Sequence, residues 1–266
     1  MTIIDRKNHF IYLKSHKTAG TSTEVYLITQ TELGCDIYRT SKDIEKYGFP
    51  RKRKDSEFAC LGGALPDSSR SVKDWVSAAR FRFGSKMRIR EHMAGDNLRE
   101  LVGQEFFDQC LLVTSIRNPW DALVSSYKWQ QGGRGAHSQP VGWSFSDFLR
   151  QSLSIGDNGI SIAEEYLFHP YVSGKSWVVD RVIVFEDLSR SIDRVVGEYG
   201  MHNIGFSNAS IYEKRTRQKE DYRVWYTDAD ARAVEERFSS FLSRFHYDFN
   251  APGEVPNINT YQGTRR

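Results

Sequence analysis

Phe10-Ile-Tyr-Leu-Lys-Ser-His-Lys-Thr-Ala-Gly-Thr-Ser22 is an apolar run that enters a tight loop, and the loop opens a helix rich in hydroxyl side chains. About a hundred residues later the pattern returns in Leu111-Leu-Val-Thr-Ser-Ile-Arg-Asn-Pro-Trp-Asp-Ala-Leu-Val-Ser-Ser-Tyr127. There a second apolar run ends in Arg117, and Pro119 stands where the first turn of a helix tolerates proline. Strand, loop and helix in that order mark places where backbone N–H groups and the helix dipole favour an anion. One such place holds one phosphate. Two of them point to a nucleotide with phosphates at both ends.

Outward from these stretches, strands alternate with helices. The pattern predicts strands over 8–14, 86–91, 109–116 and 178–185. It predicts helices over 21–32 (with Val25, Leu27 and Ile28 inward), 96–103, 119–131, 144–153, 160–170, 188–199 and 228–245. The last carries Ala231, Val234, Phe238, Phe241, Leu242 and Phe245 on one side. Val72–Ala79 reads as helical, the Gly-rich 132–142 segment as a loop and possible lid over a pocket shaped by Trp129, Trp143, Phe145 and Phe148, and 207–223 as basic and irregular. The expected architecture is α/β, a P-loop-like parallel β-sheet flanked by helices, in one domain over residues 1–249 with a polar tail over 250–266. Ligands of such sheets bind beyond the carboxyl ends of the strands.

Composition narrows the class. The 266 residues are 39% apolar and 13% aromatic, enough for a sizeable core. A net charge of +3 suits an anionic ligand and is too weak to argue for nucleic acid. The basic run Arg51-Lys-Arg-Lys54 reads as a solvated loop or the rim of a cleft. Cys35, Cys60 and Cys110 are odd in number with no Cys-x-x-Cys spacing, as expected of free thiols in a reducing compartment. Asp5, Arg6, Lys7 and Asn8 interrupt any leader-like run, and no stretch approaches the ~20 apolar residues of a membrane span. A soluble cytoplasmic protein with no membrane or nucleic-acid partner is the expectation.

The chemistry-bearing residues follow from the two stretches. In the first, Gly20 lets the backbone approach an anion, Lys17 reaches a bridging or transferable oxygen, and Thr21 and Ser22 offer hydroxyls. The spacing is not that of a Walker A motif, and a Gly-Thr-Ser turn is also ordinary helix capping. In the second, Arg117 and Ser125 stand near one rim and can grip one phosphate, the Arg by a bidentate fork. The plain alternative is an Arg that caps the sheet and a Ser packed against it.

Together the two motifs resemble the 5′-phosphosulfate loop and the 3′-phosphate site of sulfotransferases that use 3′-phosphoadenosine 5′-phosphosulfate (PAPS). Lys17-Thr-Ala-Gly-Thr-Ser22 is similar to the carbohydrate-type branch, and Arg117-Asn-Pro-Trp-Asp-Ala-Leu-Val-Ser125 to the family's second motif. Fainter echoes are Glu91-His-Met-Ala94, Tyr166-Leu-Phe-His169 and Tyr222-Arg-Val-Trp-Tyr-Thr-Asp228. The resemblance implies that Lys17 contacts the phosphosulfate, and that Thr18, Ala19, Gly20, Thr21 and Ser22 cradle the 5′-phosphate mainly through backbone amides. It implies that Arg117 and Ser125 bind the 3′-phosphate, with Lys214, Arg215 or Lys219 as a further contact. His92 is the implied general base, with Glu24 as the fallback and His16 as a possible ligand contact. The product would be 3′,5′-adenosine bisphosphate, the acceptor a sugar or small-molecule hydroxyl or amine, and no metal is needed.

Two other classes compete. Val182-Ile-Val-Phe-Glu-Asp187 passes for a strand ending in magnesium-holding acids, as in a P-loop kinase. The basic runs at 51–54 and 214–219 fit a non-catalytic nucleotide-binding or nucleic-acid-binding protein, which lacks a recognisable reading element here.

Overall fold

Apolar side chains alternate between two faces along each of four consecutive neighbours in one sheet, and both faces are covered. In the computed structural model, which describes residues 2–5, 8–29, 37–38, 95–131, 142–156, 159–168, 172–173, 176–200 and 220–251, the strands are β1 (Thr2–Asp5), β2 (Phe10–Leu13), β3 (Ile37–Tyr38), β4 (Leu111–Ile116), β5 (Val172–Ser173), β6 (Ser176–Trp177) and β7 (Arg181–Val184). The helices are α1 (Gly20–Thr29), α2 (Gly95–Val102), α3 (Gln104–Gln109), α4 (Pro119–Gln131), α5 (Phe145–Ser152), α6 (Ile162–Phe168), α7 (Leu188–Glu198), α8 (Asp228–Arg237) and α9 (Ser239–Phe245). The main sheet has the order β3-β1-β2-β4-β7, and β5 and β6 form a small antiparallel pair.

The sheet is mixed, a correction to the all-parallel expectation. β2, β4 and β7 run parallel, with Leu13 opposite Thr114 and Thr114 opposite Val182. β1 pairs antiparallel with β2, Thr2 opposite Leu13, and β3 pairs antiparallel with β1. β1 escapes a reading by pattern because it is four residues long and ends in an acid. That acid is structural. Asp5 is fully buried and accepts from the Asn8 backbone N–H at 3.1 Å and from Asn8 Nδ2 at 2.8 Å. It thereby ties the turn into β2, where His9 takes a left-handed φ of 49°.

Period two decides which layer each side chain joins. Ile4, Ile11, Leu13, Leu112, Ile116, Val182 and Val184 face the larger cluster, filled by α2 to α6, α8 and α9 through residues such as Leu98, Phe107, Trp120, Phe148, Leu167, Val234 and Phe245. Ile3, Phe10, Tyr12, Val113 and Ile183 face the smaller one, covered by Val25, Tyr26 and Leu27 of α1 and Ile192, Val195 and Val196 of α7. The sheet is thus the middle layer of three.

Among the differences from the pattern are two elements and one placement. The strand expected over 178–185 shortens to 181–184, because Asp180 donates its N–H to the Leu112 carbonyl at 2.8 Å and its Oδ2 accepts from the Leu112 N–H at 2.8 Å. The helix expected over 228–245 is two helices. Phe238 leaves helical geometry at φ −102°, ψ 16° and is 1% exposed, and the poor helix formers Ser239 and Ser240 follow. Phe145 and Phe148, expected in a pocket wall, are buried core residues packed around Tyr127. The strand expected over 86–91, the helix over 72–79, the 51–54 run and the loop over 132–141 lie outside the described residues. No helix among the described residues is long and apolar enough to cross a membrane.

Replacing Asp5 by Ala strands two donors in the β1–β2 turn. The expected cost is about 2 kcal/mol of stability, read as a lower urea midpoint with an unchanged denaturant slope.

Candidate functional site

β2 and β4 are parallel neighbours in register, so the segments that leave their carboxyl ends lie side by side. Residues 14–19 connect β2 to α1, and Arg117 and Asn118 connect β4 to α4. Hydroxyls stitch the two strand ends together. Thr114 Oγ1 donates to the Leu13 carbonyl at 2.6 Å, Ser15 Oγ donates to the Ser115 carbonyl, and Tyr12 Oη lies 2.7 Å from Ser115 Oγ. Burial raises the Tyr12 phenol far above its usual range, so it acts as a neutral strut.

The first loop has an anion-binding shape. Lys17 (φ 60°) and Ala19 (φ 55°) both take the left-handed conformation, while His16 and Thr18 do not. Alternation of hand along successive residues turns backbone N–H groups toward a common concavity. The loop then runs into α1, whose first turn closes with the Thr23 N–H on the Ala19 carbonyl at 3.1 Å. Thr18 turns its hydroxyl inward, 3.0 Å from Ser15 Oγ, which leaves amides as its contribution to a ligand. Thr21 and Ser22 are half-buried at the helix start.

Gly20 also lies against the side chain that leaves the end of β2. A β-carbon there would lie 2.6 Å from both Cγ and Cε of Lys14, so any larger residue would have to displace the Lys14 stem that crosses it. Lys14 passes beneath the loop to Glu24 of α1, where Nζ meets Oε2 at 3.0 Å in a pair whose side chains are 8% and 1% exposed. By motif order Glu24 is the fallback base. The structure places it under the loop as the counter-ion of Lys14.

The two motifs meet through Arg117. Its Nη1 donates to the Lys17 carbonyl at 2.6 Å, its Nε donates to Asp121 Oδ2 at 3.0 Å, Nη2 lies 2.9 Å from the same oxygen, and its plane sits 4.0 Å from the Phe185 ring centroid. Asp121, one helical turn after Arg117, is a partner that the i,i+4 spacing makes legible and that the motif alone does not name. A guanidinium carries five N–H groups, so donors remain beyond these contacts. Ser125 is one further turn along the same face of α4 and half-buried.

Aromatic contacts frame the loop. His16 stacks on Tyr166 of α6 with ring centroids 3.7 Å apart and planes 18° apart. Burial, with the nearby cations Lys14 and Lys17 adding to it, lowers the His16 pKa to about 3, so the ring is neutral near pH 7. Lys17 Nζ lies 5.1 Å from the ring centroid of Trp129 on α4.

The other side of Arg117 is closed by the chain's last described segment. Asn118 is buried; its N–H donates to Glu186 Oε1 at 2.8 Å and its Nδ2 to Tyr222 Oη at 3.3 Å. Tyr222 Oη donates to the Phe249 carbonyl at 2.8 Å, and Tyr247 Oη donates to Glu186 Oε2 at 2.9 Å. Burial raises the Glu186 pKa, against the opposing pull of these donors and Arg117. Glu186, one of the acids a kinase reading would give to a metal, is engaged here in holding the turn before α4. His92, Lys214, Arg215 and Lys219 lie outside the described residues, so Lys17 to Ser22, Glu24, Arg117 and Ser125 are the predicted residues the structure assembles.

Comparisons with family models, with curated proteins and with solved structures find no match to this chain. The site therefore stands on its own geometry.

Two outcomes follow from that geometry. Glu24→Ala removes the carboxylate 3.0 Å from the buried Lys14 ammonium and should cost about 3–5 kcal/mol in chemical denaturation, whereas the double variant Lys14→Met/Glu24→Leu should recover most of it. The second concerns pH. Because the folded pKa of His16 is depressed to about 3 from 6.5, the unfolded chain binds more protons in that window, and folding loses stability as pH falls through it. His16→Phe, which keeps a ring against Tyr166, should flatten the stability profile between pH 6.5 and 3.

Proposed function

We propose that the protein is a PAPS-dependent sulfotransferase that moves a sulfuryl group to a hydroxyl or amine of a sugar or small-molecule acceptor. One observation carries the reading: the Arg117 guanidinium donates to the Lys17 carbonyl, so the two phosphate motifs form a single rim at the carboxyl ends of adjacent parallel strands. A nucleotide with phosphates at both ends is the ligand class that such a rim fits, and ATP leaves the second site without a role. The packing of Tyr222 on Asn118 and of Tyr226 on the Trp120 carbonyl at 2.9 Å adds support, because it joins a fainter family echo to the second motif.

PAPS would supply an activated sulfuryl group whose transfer leaves 3′,5′-adenosine bisphosphate. The residues present fit it: amides of the 16–20 loop would hold one phosphate, and the remaining Arg117 donors with Ser125 would hold the other. Lys17 would offset charge that develops on a departing phosphate, the kind of stabilisation that matters most in a site with preset donors. Holding both ends of the donor fixes its direction relative to an acceptor, which is the larger part of what such an enzyme contributes. His92 is the proposed proton acceptor. Glu24, buried against Lys14, serves the loop.

Calorimetric titration with 3′,5′-adenosine bisphosphate in EDTA, beside ATP with magnesium, tests the reading. Binding of the bisphosphate without metal is expected, weakened about 10- to 100-fold by Lys17→Ala or Arg117→Ala, in line with loss of a charged hydrogen bond. Binding of ATP with magnesium alone would sink it.

A further inference from the structure

Trp129 is the one aromatic among the large exposed apolar side chains of the described residues, at 37% exposure. It stands one helical turn beyond Ser125, on the face of α4 that also carries Asp121. Its ring lies 5.1 Å from Lys17 Nζ, a contact between the cation of the first motif and the helix of the second. The backbone of Lys17 is anchored, since its carbonyl accepts from Arg117 at 2.6 Å and its φ of 60° belongs to the loop's fixed alternation. The four-carbon stem beyond that backbone keeps its rotatable bonds. An ammonium over a partly exposed ring is held weakly, whereas an ion pair with a phosphate oxygen is a charge-assisted hydrogen bond and stronger.

We propose that the indole of Trp129 is the resting place of the Lys17 ammonium, given up when an anion enters the loop, so that Trp129 sets how much of the protein is ready to bind. The inference rests on the reading of residues 15–20 as an anion cradle. It makes Trp129 a positioning residue acting through Lys17. A ring that holds the cation away from the anion lowers the apparent affinity by the fraction of chains in which the cation is withdrawn.

The experiment measures calorimetric affinities of Trp129→Leu and Trp129→Phe for inorganic pyrophosphate and for 3′,5′-adenosine bisphosphate, in the wild-type and the Lys17→Met backgrounds, without metal. Position 129 is on the surface of a helix that accepts leucine well, so the variants should fold. Trp129→Leu should bind each anion roughly two- to fivefold more tightly, the equivalent of an exposed cation–π contact. Trp129→Phe should fall between, and in the Lys17→Met background Trp129→Leu should change nothing. The Trp129 contribution to fluorescence, taken as wild type minus Trp129→Phe, should change on anion binding. Unchanged or weaker affinity in Trp129→Leu, or the same gain without Lys17, overturns the role of the ring. Pyrophosphate binding with this pattern but no bisphosphate binding removes the cofactor reading and leaves the role of Trp129 standing. Binding of neither anion overturns both.

Discussion

The register of β2 against β4 is the constraint on which the site depends. Phe10 lies opposite Leu111 and Leu13 opposite Thr114, so two strands far apart in sequence end at the same height. A slip of one residue would exchange every side chain between the two core layers, and the period-two burial of both strands forbids it. Because of that register the segment after one strand can hydrogen-bond the segment after the other. Arg117 reaching the Lys17 carbonyl is the visible result. Hydroxyls of Ser15, Thr114 and Ser115 satisfy the groups that the strand ends expose to each other, as burial of polar atoms requires.

Charge near the loop is arranged in two tiers. Beneath it, Lys14 and Glu24 form a buried pair, and the Lys14 stem runs close against Gly20. Above it, Lys17 and Arg117 carry positive charge, and the Asp121 carboxylate lies against the guanidinium. The lower tier shapes the loop and the upper tier gives it a sign. Neutral His16 stacked on Tyr166 fastens the loop sideways without adding charge.

Much of this was legible in the residues. The two apolar runs, Pro119 at the start of a helix and the helices at 145–152 and 188–198 follow from periodicity and capping, with Ser144 and Asp147 forming a capping box where the pattern begins. What stayed hidden depends on contacts across the chain. β1 is too short for a period, and its direction is set by a hairpin with β2. The break at Phe238 answers a demand for burial that a helical wheel cannot express. Lys14 and Glu24 are ten residues apart, a spacing with no local meaning until a strand turns into a helix between them. Phe145 and Phe148, expected to shape a pocket, belong to the core because Tyr127 and Trp225 pack against them.

The clamp on Asn118 has a consequence in time. A ribosome delivers β2 and its loop early and β4 soon afterwards, yet the partners that hold the turn before α4 are made much later. Tyr222 follows Asn118 by 104 residues, and Tyr247 follows Glu186 by 61. Domains fold as units as their chains emerge. The rim is therefore completed only when the carboxyl-terminal segment folds back and lays Tyr222, Tyr247 and the Phe249 carbonyl beside Asn118 and Glu186.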